Sequence, residues 1–191
     1  MNASVLTEGN FDGMFLATLI GEEQHRDDIE IRVVGGKSAI HSFARTLLAV
    51  KRIPVAVVID ANSPEPDVAM ERQRSAEEVI GAAAVGIPFR VIVAVPELEI
   101  LFFQRPELLR RVFDEAVDDH VMELAQLSPR RALEKLAPDK PLQSVRLEVL
   151  KEMDAADLHA LRETELIQDL LSFIKIAVDF STRSVVAGIS R

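Results

Sequence analysis

Acidic residues follow three short apolar segments in the first hundred residues of the chain. They are Glu8 and Asp12, then Asp60, then Glu97 and Glu99. Hard divalent cations such as Mg²⁺ prefer carboxylate oxygens, and a sparse set of acids around an open position suits a metal that also touches a substrate phosphate. These residues therefore predict a metal site that does phosphate chemistry.

Each acid also has a simpler interpretation. Asp60 could form a helix cap or an Asx turn before Pro64, and Glu8 could be an ordinary loop acid. Asp12 could serve simply to stabilise its helix, because a carboxylate near the N-terminus interacts favourably with the helix dipole. Glu97 and Glu99 share a face in an extended chain but not in a helix, so one ligand is expected from this pair, and Glu99 is favoured.

The segments before these acids are predicted to be strands. Strands are expected at Ala3 to Thr7, Ile29 to Val34, Val55 to Ile59 and Arg90 to Val95. The last two are apolar at successive positions, as in strands covered by helices on both faces, and are expected to be central. Helices with apolar residues at helical spacing are predicted between the strands, at Asp12 to Gly21, Ser38 to Val50 and Ala69 to Ala84. This alternation predicts an α/β fold with a mostly parallel four-stranded sheet, in which the carboxyl ends of the strands bring the acids to one edge.

The chain after Pro96 is predicted to be helical. Helices are expected at Leu98 to Phe103, Pro106 to Gln126, Arg130 to Leu136, Leu142 to Met153 and Asp157 to Phe180, with prolines between several of them. No Gly/Ser-rich linker separates the two halves. We therefore predict an α/β core over residues 1–103 and a helical C-terminal extension over residues 104–191 that packs on it. Phe173, Ile174 and Phe180 of the last helix either close the core or pair two subunits, and a homodimer is favoured.

Composition narrows the class of protein. The 191 residues include no cysteine, which excludes thiolate nucleophiles and Cys-ligated zinc and fits a reducing compartment. No apolar run approaches the ~20 residues that span a bilayer, so a soluble, cytoplasmic protein without a membrane segment is expected. The formal charge of -9 argues against a nucleic-acid binder, but an acidic metal site contributes to that charge, and its ion would be the positive group that a phosphate meets.

Two other features could bind phosphate. Basic residues in the second half could form a phosphate-facing patch, but a solvated surface with local ion pairs is favoured; they are Arg105, Arg110, Arg111, Arg130, Arg131, Lys135, Lys140 and Arg146. The segment IRVVGGKS is not a phosphate-binding loop, because Ile31 stands where that loop needs glycine. Lys37 and Arg32 could still approach a phosphate there. The four histidines lack metal-ligand spacing.

The order of the acidic motifs resembles the Toprim fold of topoisomerases, DnaG-type primases and nucleases of the overcoming-lysogenization-defect (OLD) class. Glu8-Gly9 followed by Asp12 is similar to the first Toprim motif, and VAVVIDAN to the second, an apolar strand ending in Asp-x-Asp. VAVPELEILFF resembles the third acidic segment of small stand-alone Toprim-like proteins. The resemblance covers roughly Ala3 to Phe103. Asn62 replaces the second aspartate of the family pattern, which weakens a second metal position because an amide oxygen brings no charge.

The resemblance implies an active site with Mg²⁺ or Mn²⁺. Glu8, Asp60 and Glu99 are the implied catalytic residues, with Glu8 as an acid/base or ligand and Asp60 and Glu99 holding the metal. The full candidate ligand set is Glu8, Asp12, Asp60, Asn62, Glu97 and Glu99. The implied function is a nuclease that cleaves phosphodiesters in nucleic acid, within a repair or antiphage defence assembly that includes an ATPase or another protein. The alternative is a non-catalytic scaffold subunit of a larger complex, which the Asn62 departure favours.

Overall fold

The sheet is parallel and has four strands. The computed structural model describes residues 3–21 and 29–186. Its strands are β1 (Ala3–Thr7), β2 (Ile29–Val33), β3 (Val55–Asp60) and β4 (Phe89–Ala94), arranged in the order β2-β1-β3-β4. All three neighbouring pairs are parallel, which confirms the predicted α/β class.

The central strands are β1 and β3. The prediction that the fourth strand is central was wrong, because β4 pairs only with β3 and lies at an edge of the sheet. A continuous apolar run indicates that helices cover both faces of a strand. It does not indicate whether the strand pairs with one or two neighbouring strands. β4 is covered in this way, since α3 and α10 both contact it.

Helices cover both faces of the sheet, as predicted. The first half contains α1 (Asn10–Ile20), α2 (Lys37–Thr46) and α3 (Pro66–Gly81), and α2 continues into a π-helical turn at Leu47–Lys51. Side chains alternate between the two faces of a strand. Val55, Val57 and Ile59 accordingly pack in one core cluster with α2 and α3, and Ala56 and Val58 in the other with α1.

The second half is helical but more interrupted than predicted. Its helices are α4 (Ile100–Phe103), α5 (Pro106–Phe113), α6 (Asp119–Leu127), α7 (Pro129–Leu136), α8 (Leu142–Glu152), α9 (Ala155–Arg162) and α10 (Glu165–Val186). The helices predicted at 106–126 and 157–180 are each broken. A 3₁₀ turn at Asp114–Ala116 ends the first segment, and Asp118 then caps α6 by accepting the Val121 N–H at 2.8 Å. α10 begins at Glu165, and the carbonyl of the preceding Thr164 accepts the Gln168 N–H at 2.9 Å.

The last helix belongs to the core. α10 contacts β1, β3 and β4, and Phe173 and Ile174 are buried in the same cluster as α1. Phe180 packs, partly buried, against the cluster on the other face. Phe173 and Ile174 therefore close the core and Phe180 packs at its margin, while the homodimer stays a prediction.

A buried ion cluster fastens α9 to α5. The Asp157 side chain is 0% exposed and accepts hydrogen bonds from Arg105 Nε at 3.1 Å and from Arg111 Nη2. Asp157 and Asp154 also form a capping box at the start of α9. Among residues 3–21 and 29–186, no helix is long and apolar enough to cross a membrane.

Candidate functional site

The carboxyl ends of three strands lie at one edge of the sheet and carry the predicted acids. Thr7 of β1 pairs with Val58 of β3, and Asp60 pairs with Ala94 of β4, so the chain leaves all three strands at similar height. Beyond the ladder, Ala61 N–H donates to Ala94 O and Asn62 N–H to Pro96 O, both at 2.7 Å. These bonds hold the loop after Asp60 beside the segment that carries Glu97 and Glu99.

Asp12 is held at this edge by the start of α1. Gly9 precedes the helix, and its N–H donates to Asp12 Oδ2 at 3.1 Å. A Cβ atom at position 9 would lie 2.8 Å from Asp12 Oδ2, so a larger residue here would displace the Asp12 carboxylate from its hydrogen bond. Burial raises the pKa of Asp12, and the nearby Glu99 carboxylate adds to the increase.

Asp60 is the last residue of β3 and lies at the centre of the site. Its Oδ1 accepts the Leu98 N–H at 2.9 Å, and its Oδ2 contacts the guanidinium of Arg130. Burial is the main cause that raises the pKa of Asp60 to about 7, and the Glu99 and Asp12 carboxylates act in the same direction. The Arg130 charge and the hydrogen bond from the Leu98 N–H lower the pKa but do not outweigh them. Its backbone carbonyl accepts a hydrogen bond from Arg72 Nη1 at 2.5 Å, which ties the strand end to α3.

Glu97 and Glu99 reach the same arginine although the chain between them turns. Glu99 Oε1 accepts from Arg130 Nε at 3.1 Å and also contacts the guanidinium of Arg146. Glu97 Oε2 accepts the backbone N–H of Arg130 at 3.1 Å, and its Oε1 lies 3.5 Å from Arg130 Nη1. Both carboxylates therefore belong to the site, with Glu99 fully buried and Glu97 mostly so.

Glu8 and Asn62 lie at the margins of the site. Glu8 follows β1 on the side of α2, where its charge acts on His41, whose pKa is lowered chiefly by burial. Asn62 is exposed, and its Nδ2 lies 3.5 Å from the Asp60 backbone oxygen. Its φ of 50° is a left-handed conformation that Asn tolerates better than most residues, so the local geometry gives it a role in the loop.

Sequence reasoning missed the two arginines of the site. Arg130 follows Pro129 at the start of α7, and Arg146 lies on α8 with its guanidinium carbon 5.2 Å from the centre of the Phe11 ring. The basic residues were interpreted together as a solvated surface with local ion pairs. That interpretation suits Lys140, which pairs with Glu148 at 2.6 Å, but it is wrong for Arg130 and Arg146. Their place could be foreseen only from the need to compensate buried carboxylates.

The donor chemistry of the cluster fits a hard divalent cation. We define the acidic cluster as Asp12, Asp60, Glu97 and Glu99, with Glu8 at its margin. Two buried carboxylate oxygens, Glu99 Oε2 in the cluster and Glu8 Oε1 at its margin, have no hydrogen-bond partner among the described residues. The four carboxylates of the cluster are compensated by two guanidinium groups, so negative charge remains when all are ionised.

The arrangement of the cluster is that of arginine-compensated acids. Within the part of the chain that the structure describes, no group of three or more His, Asp or Glu side chains is placed to hold a metal ion. The guanidinium of Arg130 contacts Asp60, Glu97 and Glu99, three of the acids that would hold a cation. Metal binding therefore requires these side chains to rearrange.

Comparison with solved structures identifies the same fold in the OLD proteins. The C-terminal region of the Burkholderia pseudomallei OLD protein is 19% identical, with a TM-score of 0.58 over 93% of this chain and 98% of that chain. The C-terminal region of the Xanthomonas campestris pv. campestris OLD protein is 16% identical, with a TM-score of 0.54 over 95% of this chain and 98% of that chain. No protein-family model and no curated protein matches the sequence. The predicted resemblance is thus confirmed as a shared fold.

Proposed function

We propose that this chain is a Mg²⁺- or Mn²⁺-dependent enzyme that cleaves phosphodiester bonds in nucleic acid. The observation that carries the proposal is the meeting of Asp12, Asp60 and Glu99 beyond the carboxyl ends of three parallel strands. They lie close enough that the Glu99 charge adds to the raised pKa of Asp12, and the Glu99 and Asp12 charges add to the raised pKa of Asp60. Acids that repel one another in a buried site destabilise the fold unless they bind a cation, so their presence supports a functional site.

The residues have distinct roles in this proposal. Asp60 and Glu99 are the metal ligands, and Asp12 and Glu97 support them. A bound divalent cation would supply the positive charge that stabilises phosphate oxygens in the transition state. Glu8 is partly buried, and its Oε1 has no hydrogen-bond partner among the described residues, so it is available as an acid/base or an added ligand. Asn62 is assigned no more than a marginal ligand role.

We further propose that the chain works within a larger assembly. The units that it matches are, by their descriptions, C-terminal regions of OLD proteins, so in those proteins the fold is joined to further sequence. An ATPase or another protein partner in repair or antiphage defence would supply such a context here.

Cleavage with an Asp60→Asn comparison tests the proposed activity. Wild-type protein is incubated with labelled single- and double-stranded DNA and RNA in Mg²⁺, Mn²⁺ or EDTA. We expect metal-dependent cleavage that Asp60→Asn reduces by at least about 100-fold, since even second-shell changes at metal sites cost about 10–100-fold. Asp139→Asn is the matched control, because Asp139 is exposed and distant in sequence from every cluster acid. Equal cleavage by wild type and Asp60→Asn would contradict the assignment.

A second candidate function is a non-catalytic scaffold that keeps the fold. It is favoured by the compensation of Asp60, Glu97 and Glu99 by Arg130, and by Asn62 in place of an acid. Thermal melting distinguishes the enzyme from the scaffold. A ligand that binds only the folded state raises the melting temperature, and at 100 times its Kd it adds about 2.7 kcal/mol to the free energy of unfolding. Stabilisation by Mg²⁺ without cleavage of any nucleic acid would support the scaffold.

A further inference from the structure

Arg130 makes contacts with the acidic cluster that a bound cation would make. Its guanidinium touches Asp60 of β3 and both Glu97 and Glu99 of the segment after β4. Its backbone N–H also donates to Glu97, which fixes the start of α7 against this segment. One side chain thus joins acids from two strand ends.

Arg130 holds carboxylate oxygens of both residues proposed as metal ligands. Asp60 Oδ2 contacts its guanidinium, while Asp60 Oδ1 accepts the Leu98 N–H. At Glu99, Arg130 and Arg146 share Oε1, while Oε2 has no partner within the described chain. A cation and a guanidinium cannot bind the same oxygens in the same direction, so the two compete.

Arg130 is able to leave the cluster. It is the second residue of α7, its side chain is 30% exposed, and a long arginine side chain can turn to solvent without moving its helix. Arg146 is less free, because its side chain is 14% exposed and stacks on Phe11. The difference identifies Arg130 as the exchangeable group and Arg146 as a fixed one.

We propose that Arg130 is an internal counter-ion of the acidic cluster, which holds Asp60, Glu97 and Glu99 together without metal and is displaced from them when a divalent cation binds. This inference rests on the proposed metal-dependent function and adds a positioning residue to it. The guanidinium lowers the apparent metal affinity, because part of the binding free energy is spent in breaking its ion pairs.

Metal titration of Arg130→Gln tests the competition. Isothermal titration calorimetry with Mn²⁺ is carried out on wild type, Arg130→Gln and Arg131→Gln. We expect Arg130→Gln to bind Mn²⁺ about tenfold more tightly than wild type, the order of effect measured for close charge pairs. Arg131→Gln, an exposed neighbour on the same helix, is expected to match wild type. An Arg130→Gln affinity equal to or weaker than wild type, or no binding by either protein, would overturn the proposal.

Melting of the same variants adds a readout independent of affinity fitting. Without metal, Arg130→Gln should melt at a lower temperature than wild type, because the buried acids lose their counter-ion. With saturating Mn²⁺ this deficit should largely disappear, since the metal then replaces the lost charge. A deficit of equal size with and without Mn²⁺ would mean that Arg130 has only a structural role.

A measurement on wild-type protein covers the case in which Arg130→Gln does not fold. The arginine Nε–H signals of ¹⁵N-labelled protein are followed by NMR during addition of diamagnetic Mg²⁺, and Arg130→Lys assigns the Arg130 signal. We expect that signal to move with the backbone signals of the acidic cluster as metal binds. A stationary Arg130 signal beside moving cluster signals would refute displacement.

The counter-ion and the nuclease proposals fail separately. Cleavage by wild type together with unchanged metal affinity in Arg130→Gln rejects the counter-ion and keeps the nuclease. Tighter Mn²⁺ binding by Arg130→Gln, with no cleavage of any nucleic acid by wild type, keeps the counter-ion and rejects the nuclease.

Discussion

At the scale of single residues, the site depends on a few close contacts, which even a small change in side-chain volume or charge would disturb. Glu99 is fully buried, and two arginines share one of its oxygens. Burial makes each unpaired charge costly, so removing one partner leaves the other uncompensated. The acids are therefore held by a small number of specific neighbours.

Gly9→Ala provides a test of the close packing around Asp12. Its φ of -112° is open to any residue, so the effect comes from the added Cβ atom, which would lie 2.8 Å from Asp12 Oδ2. We expect a loss of about 0.5–2 kcal/mol in the free energy of unfolding, as for the loss of other helix-capping hydrogen bonds, because the Asp12 carboxylate must move away from the Gly9 N–H. Chemical denaturation of wild type and variant measures it.

The control for this prediction is a double-mutant cycle. In an Asp12→Ala background the carboxylate is absent, and Gly9→Ala should then cost much less. An equal cost in both backgrounds would show that Asp12 is not the cause.

At the scale of elements, the Asp157 ion cluster fastens α9 to α5. Asp157 accepts from Arg105 and Arg111 while it also caps α9 through the Asp154 N–H at 3.1 Å. Asp157→Asn keeps the shape but removes the charge, and we expect it to cost about 2–4 kcal/mol at neutral pH, somewhat below the usual cost of breaking a buried pair. Asp139→Asn, exposed and outside any helix, is expected to change stability by less than about 0.5 kcal/mol.

The same cluster predicts a pH dependence. Burial acts to raise the pKa of Asp157, but hydrogen bonds from the Asp154 N–H, Arg111 and Arg105 prevail and lower it below the usual 3.8. The stabilisation by a carboxylate with a lowered pKa is complete above its unfolded value and is lost as the pH falls through the folded value. The stability difference between wild type and Asp157→Asn should be constant above about pH 5 and shrink below about pH 4. Urea denaturation at each pH measures it, and a difference that grows on acidification would contradict the prediction.

At the scale of the whole molecule, the last helix completes the core of the α/β sheet. Phe173 is 4% exposed and packs in the core cluster that contains residues of α1 and the residues of β1 and β3 that face α1. Phe173→Ala should cost about 3–5 kcal/mol, as for other buried phenylalanines. Because Phe173 packs within the chain, this loss should be independent of protein concentration.

Melting at several concentrations measures this independence. Ile176→Ala serves as the control, since Ile176 lies on the same helix but is 58% exposed and should lose much less. A melting temperature that rises with concentration in wild type and not in Phe173→Ala would show that Phe173 pairs subunits instead.

The sequence by itself determined the fold class and the edge of the sheet at which the acids meet. Strand boundaries were predicted within one residue, because β-branched apolar runs between turn residues are local signals. The expectation that Glu8, Asp60 and Glu99 lie at or beyond the strand ends followed from the same signals, since parallel strands end on one side. Glycine at position 9 and the acid three residues later also form a local pattern.

Only the tertiary structure decided which strands are central and what compensates the acids. Strand order depends on pairing between distant segments, and an apolar run is the same at an edge when helices cover both faces. Arg130 lies 70 residues from Asp60 along the chain, and no local spacing links them. Its place in the site arises because α7 packs beside the segment after β4, where buried carboxylates require a positive partner that the chain must bring from elsewhere.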